Sequence, residues 1–130
     1  MGASNAELAQ LALTARRGAH APYSGVTVGA ALEADGEIFT GANVENASYG
    51  LTVCAERVAV FAAVTHGARK FTRIAIASNQ ERCLQPCGAC LQVLSEFCAD
   101  LQIVLVDAAG NTTETSLKQL FPAPFKLSDS

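Results

Sequence analysis

No stretch of apolar residues in this chain approaches the ~20 needed to span a bilayer, so no membrane-spanning helix is expected. The opening "MGASNAELAQ" lacks a basic segment running into an apolar one, which argues against a secretion signal. Its sixth position is Ala6, where a myristoylation motif needs Ser or Thr. Positive charge is scarce as well: 9 Lys and Arg stand against 12 Asp and Glu, giving a net charge of −3 and a pI of about 5.3. A polynucleotide-binding groove needs a clustered basic surface, so a small or uncharged substrate is expected. Internal repeats, low-complexity tracts and long linkers are missing, and 130 residues suit a single domain, 1–130. What is plentiful is apolar residue content, at 50%, enough for a packed core.

The five cysteines are Cys54, Cys83, Cys87, Cys90 and Cys98. An odd number without an export signal points to reduced thiols in a cytoplasmic protein. In that setting a close pair is more often metal-binding or catalytic than disulfide-bonded.

The pattern along the chain alternates helix and strand. Ser4 and Glu7 form a capping box ahead of Leu8, Leu11, Ala12 and Ala15, which marks a first helix. Asp35-Gly36 between two apolar runs signals a hairpin. Residues 53–66 read as a second helix, with Thr52 as N-cap and Gly67 as C-terminal stop. "RIAIAS", 73–78, and "IVLV", 103–106, read as strands, and "PCGACLQVLSEF" as a third helix with Pro86 in its first turn. "TTETS" reads as a short edge strand and "LKQLF" as a last helical turn. The order α-β-β-α-β-α-β-β implies an α/β fold, a mixed sheet covered by helices. Right-handed crossovers would set helices two and three on one face with their N-terminal ends close.

Those ends carry thiols. Cys87 and Cys90 are three apart on one helical face, and Cys54 holds the matching place on the other helix. Unpaired N–H groups and the helix dipole favour thiolates there, and three thiolates converging from two helix ends can hold a zinc ion. A closed structural site needs a fourth protein ligand. Cys98 lies about two turns beyond Cys90, ~12 Å by helical rise, and neither His20 nor His66 stands near a ligand in sequence. Cys83, in the preceding loop, remains open on spacing alone. The count favours three ligands and one position left for water. Glu56, two residues past Cys54, would then serve as a proton carrier rather than a ligand. Arg57 shares the helical face of Cys54, where a guanidinium would offset the excess charge of three thiolates on one Zn²⁺.

Each feature alone has a plainer explanation: a packed Cys pair, a Glu that complements a helix dipole, a solvated Arg. Together, "CAE" followed by "PCGAC" is far more specific, and here the chain resembles the zinc-dependent cytidine deaminases of the small homotetrameric type. The similarity runs from "APYSGVTVGAAL" through "GANVENASYGLTVCAER" and "PCGACLQVL" to "LFPAPF". It implies a three-layer α/β/α fold with about five strands and one Zn²⁺ per subunit, held by Cys54, Cys87 and Cys90, with Glu56 shuttling protons. It also implies that Asn43 and Glu45 bind the ribose 3′-hydroxyl, that the Ala55 N–H meets the pyrimidine O2, and that the Gln85 carbonyl lies near the leaving amino group. Tyr49 and Phe125 would be lent by neighbouring subunits of a homotetramer, Phe125 stacking on the base. Val26 stands where the family often has an aromatic residue, which keeps the wall apolar but removes a flat face. The expected reaction is hydrolysis of cytidine and 2′-deoxycytidine to the uridines in pyrimidine salvage, with a nucleoside and not a polynucleotide or membrane as partner. Rival readings are a deaminase of a modified nucleoside such as blasticidin S, a non-catalytic zinc-stabilised module, and a redox pair at Cys87 and Cys90. "NVENASYG" and the late Phe favour the ordinary nucleoside.

Overall fold

The computed structural model describes residues 3–127. The first helix, α1 (Asn5–Ala15), opens on the expected capping box: the Glu7 N–H donates to the Ser4 hydroxyl at 3.1 Å and the Ser4 N–H to the Glu7 carboxylate at 3.2 Å. Strands β1 (Val28–Ala34) and β2 (Glu37–Ala42) form the expected hairpin. Its turn residues Asp35 and Gly36 have φ of 51° and 77°, the two positive values that a type I′ turn demands. Then come α2 (Ala55–His66), β3 (Phe71–Ser78), α3 (Gly88–Phe97), β4 (Gln102–Val106), β5 (Thr112–Ser116) and the short α4 (Leu117–Leu120). Gly67 ends α2 in the left-handed region, φ 106°, which its lack of a Cβ permits.

The five strands lie in the order β2-β1-β3-β4-β5. Only β3 and β4 run parallel; the other neighbours are antiparallel, so the sheet is mixed. Alternation along each strand feeds two cores. Ile74, Ile76, Ile103 and Leu105 face one side with α2 and α3, while Ala75, Ala77, Val104 and Val106 face the other with Leu8, Ala9 and Ala12 of α1. The result is three layers, α/β/α, as the pattern and the resemblance implied. Helices α2 and α3 share a face, and each starts beyond the C-terminal end of a strand, β2 or β3, where α/β proteins place ligands.

Both helix starts differ by a residue or two from the sequence-based expectation. Val53 is held extended by a reciprocal pair of 2.9 Å bonds with Val44, so it cannot begin a helix. The Thr52 hydroxyl accepts from the Asn46 N–H at 3.1 Å instead of capping α2. Cys54, with extended backbone, is the N-cap of α2; Cys87, likewise extended, is the N-cap of α3, with Pro86 outside it.

Candidate metal centre and substrate cavity

Two cysteines therefore occupy the position usually filled by Ser, Thr, Asp or Asn. Neither side chain makes a capping hydrogen bond, so both sulfurs are free to turn toward one point. Cys90, buried on the first turn of α3, supplies the third. The Cys54 and Cys87 sulfurs are 3.7 Å apart and those of Cys87 and Cys90 3.4 Å. All three ligand atoms lie within 4.8 Å of one another. Tetrahedral zinc with ~2.3 Å bonds to sulfur sets its ligands about 3.8 Å apart, so this donor set fits the ion in type and spacing.

The surroundings are tuned for negative sulfur. The Arg57 Nη2 reaches Cys54 Sγ at 3.6 Å, and the buried Nε has no partner of its own. Hydrogen bonding from the Cys90 thiol and from Arg57 holds Cys54 down at about 5, while the same pairing and burial push Cys90 up. Glu56, only 4% exposed, is pushed up to about 7 by desolvation, with the charge of Cys54 adding to the effect and its own backbone N–H opposing it. A carboxyl held there can both take and give a proton near neutral pH.

No fourth Cys, His, Asp or Glu joins the three sulfurs among the described residues. Cys83, the candidate left open by spacing, points its thiol toward the Asn111 carbonyl and Thr113 hydroxyl, each at 3.9 Å. Cys98 bonds to the Leu94 carbonyl at the far end of α3. His66 is at the far end of α2 near Glu37, and His20 pairs by backbone with Val44. The four-ligand structural site has no fourth ligand here.

A cavity of about 230 Å³ opens on the cluster. Of the residues expected from the sequence, Val26, Asn43, Glu45, Cys54, Ala55, Glu56, Gln85 and Cys87 line it. Its apolar wall is aliphatic: Val26, Val28, Ile76 and Leu84. Asn43 is also a clamp. Its Oδ1 accepts from the Val28 N–H and its Nδ2 donates to the Val26 carbonyl, both at 2.8 Å. Glu45 receives the Tyr23 and Ser24 N–H groups at 3.0 and 3.2 Å, and the Ser24 hydroxyl donates to its other oxygen. These bonds hold its carboxyl below the ordinary range, the Ser24 hydroxyl contributing most. Ser24 and Thr52, both on the cavity wall, were not named as site residues from the sequence, which gave Thr52 only as a helix cap. The turn motif in which the Ser24 hydroxyl accepts from the Val26 N–H at 3.0 Å is a local signal that could have flagged Ser24.

Tyr49 and Phe125 do not reach this cavity from within the chain. Tyr49, 75% exposed, lines an adjoining hollow with Tyr23 and Ser24. Phe125, 71% exposed, borders a separate hollow beside α3 and α4.

Comparison with known proteins agrees with this geometry. The family model for the cytidine and deoxycytidylate deaminase zinc-binding region matches residues 3–106. A cytidine deaminase from Halalkalibacterium halodurans is 47% identical over 120 residues, 91% of each chain. One from Sporosarcina psychrophila is 44% identical over 117 residues, 88% of this chain and 86% of its own. The crystal structure of the Burkholderia pseudomallei cytidine deaminase superposes with a TM-score of 0.90 at 44% identity, covering 95% of this chain and all of that one. With the three sulfurs, the buried glutamate and the fold in agreement, the chain belongs to the zinc-dependent cytidine and deoxycytidylate deaminase family.

Proposed function

We propose that the protein hydrolyses cytidine and 2′-deoxycytidine to uridine and 2′-deoxyuridine, releasing ammonia. The observation that carries this reading is the gathering of Cys54, Cys87 and Cys90 with a buried Glu56 next to Cys54, where Cys54, Glu56 and Cys87 line one cavity. Zinc bound by the three cysteines supplies the Lewis acidity that makes a water nucleophilic near neutral pH.

Glu56 does the proton work. It takes a proton from the attacking water and delivers it to N3 of the pyrimidine as the new C4–O bond forms. It then takes the hydroxyl proton and gives it to the amino group, and the C4–N bond breaks with ammonia leaving. One water is consumed, and N3 keeps its proton in the product. Ala55 lines the cavity at the start of α2, where its N–H has no helical acceptor, and that N–H is assigned to the pyrimidine O2. The Gln85 carbonyl is assigned to the departing amino group. Asn43 keeps one N–H and one lone pair beyond its clamp, and Glu45 keeps acceptor capacity beyond the three donors from Tyr23 and Ser24. Both are assigned to the ribose 3′-hydroxyl, and Val26 to the aliphatic face against the base.

Tyr49 and Phe125 are assigned to the sites of neighbouring subunits in a homotetramer; their exposure, with that of Leu51 and Leu127, supports this. We place the enzyme, as one domain, in pyrimidine salvage in the cytoplasm. Among the described residues no helix is long and apolar enough to cross a membrane.

The test is metal analysis of the purified protein together with an ultraviolet assay on cytidine. We expect one zinc per chain and measurable turnover. Glu56→Gln should keep zinc and fold but lose kcat by 10²-fold or more, on the order expected for removing a general acid–base. A Glu56→Gln protein with near-normal kcat would refute the proton-carrying role.

A further inference from the structure

Gly41 is buried on β2, opposite Ala30 of β1, on the face covered by α2. It does not need glycine for its backbone angles, because its φ is not positive. It needs glycine for space. A Cβ at Gly41 would stand 2.5 Å from the Ala59 nitrogen, 2.7 Å from the Ala55 carbonyl oxygen and 3.0 Å from the Val58 carbonyl carbon. All three are backbone atoms, which cannot rotate aside as a side chain would. The facing side of α2 is equally bare: Ala55, Ala59 and Ala63 recur every four residues, each fully buried.

The contact falls at the end of α2 that matters. Ala55 follows the N-cap Cys54 and precedes Glu56, so the height of this turn above the sheet sets where a ligand sulfur and the proton carrier stand relative to Cys87 and Cys90 on α3. We propose that Gly41 is a positioning residue for the metal centre, fixing the first turns of α2 against β2 so that Cys54 and Glu56 meet the sulfurs of α3. The same device acts at Gly29, where a Cβ would come within 2.1 Å of the Ala12 carbonyl oxygen. That contact seats α1, which carries none of the site, on the opposite face.

A methyl group at position 41 must be relieved by one partner or the other. The strand is tied to β1 through six registered pairs and continues into the Asn43 clamp. The first turns of α2 meet the sheet through apolar contacts, the polar His66–Glu37 pair lying at the far end of the helix, so α2 yields there. Cys54 and Glu56 then move together, while Asn43 and Glu45, which follow β2, stay.

This inference rests on the zinc deaminase reading, and the two fail differently. Gly41→Ala is compared with wild type and with Leu8→Ala, a cavity-forming change in the opposite core that destabilises without touching α2. Zinc release to a chelator should be about 10-fold faster or more in Gly41→Ala, as for other changes that misorient ligands. Its kcat should fall on the order of 100-fold, with KM moving far less. Leu8→Ala should lower Tm and leave zinc release and kcat near wild type. Wild-type zinc release and kcat in Gly41→Ala would overturn the proposal. So would a rise in KM alone, which means the strand moved, or an equal loss of zinc in Leu8→Ala. If Gly41→Ala yields no folded protein, Ala59→Gly, which loosens the helix residue whose backbone nitrogen abuts Gly41, decides by zinc release: faster supports the role, unchanged overturns it. Wild-type protein without zinc or turnover would instead sink the deaminase reading itself.

Discussion

Arg57 lies one turn along α2 from Cys54, and its guanidinium is the positive group that the cluster raises in basicity, chiefly through its bond to the Cys54 sulfur. Three thiolates on one divalent ion leave a charge of −1, which weakens the ion as a Lewis acid. A cation on the sulfurs draws some of that charge back. Arg57→Ala should therefore lose zinc about 10- to 100-fold more readily, in line with other partners of metal ligands, and competition with a chelator measures it. Unaltered zinc affinity and kcat would remove Arg57 from the account. The gathering of Cys54, Cys87 and Cys90 with Arg57 on the Cys54 sulfur was legible from sequence because its signal is local: "CAER" and "PCGAC" each fit within a turn or so of helix. Asn43 as a clamp, Ser24 on Glu45 and Gly41 beneath α2 were not. Each depends on a neighbour 15 or more residues away, and no short-range pattern announces it.

At the scale of elements, one charged pair joins two strands and the start of a helix. Glu33 and Arg73 are registered partners across β1 and β3, joined by a 3.0 Å bond through Arg73 Nε and a 2.6 Å bond through Nη2. Thr72 adds a 2.7 Å bond to the same carboxylate. The remaining guanidinium donors reach Asn5 Oδ1 at 2.8 Å and the Ala3 carbonyl, tying the start of α1 to the sheet. The Arg73 hydrogen bond holds the Glu33 carboxyl below its ordinary range against the opposing effect of burial. A depressed acid stabilises the fold fully above its unfolded pKa, about 4.3, and the contribution fades as pH falls through the lowered folded value. Glu33→Gln should cost about 1–3 kcal/mol at neutral pH, the usual worth of hydrogen bonds to a charged group. The Tm gap between the two proteins should narrow as the pH drops below the ordinary carboxylate range. A gap that is constant with pH would show that shape, not charge, holds this joint. Element types and order were readable because helix and strand periods differ so clearly here. The exact helix starts were not, because the Val44–Val53 ladder that holds residue 53 extended joins segments nine residues apart through backbone groups alone.

At the scale of the whole molecule, the question is who completes the cavity. Among the described residues no aromatic ring lines it, and Phe125 stands at the surface. Its N–H donates to Gln92 Oε1 at 3.3 Å and its carbonyl accepts from Gln92 Nε2 at 3.0 Å, pinning the backbone to α3 while the residue stays 71% exposed. If Phe125 stacks on the base in a neighbour's site, Phe125→Ala should raise KM for cytidine by about 1–3 kcal/mol of lost stacking, roughly 5- to 150-fold, with zinc content intact. Sharing has a sharper consequence. A Glu56→Ala chain still offers a sound ring, and a Phe125→Ala chain still offers a sound proton carrier. Co-expressed in equal amounts, the two should assemble into mixed oligomers in which about a quarter of the sites pair an intact Glu56 with an intact Phe125 from another subunit. Those sites turn over with wild-type KM. Were each site built from one chain alone, no mixture of the two variants could contain such a site, and a titration with cytidine would show only the weakened KM.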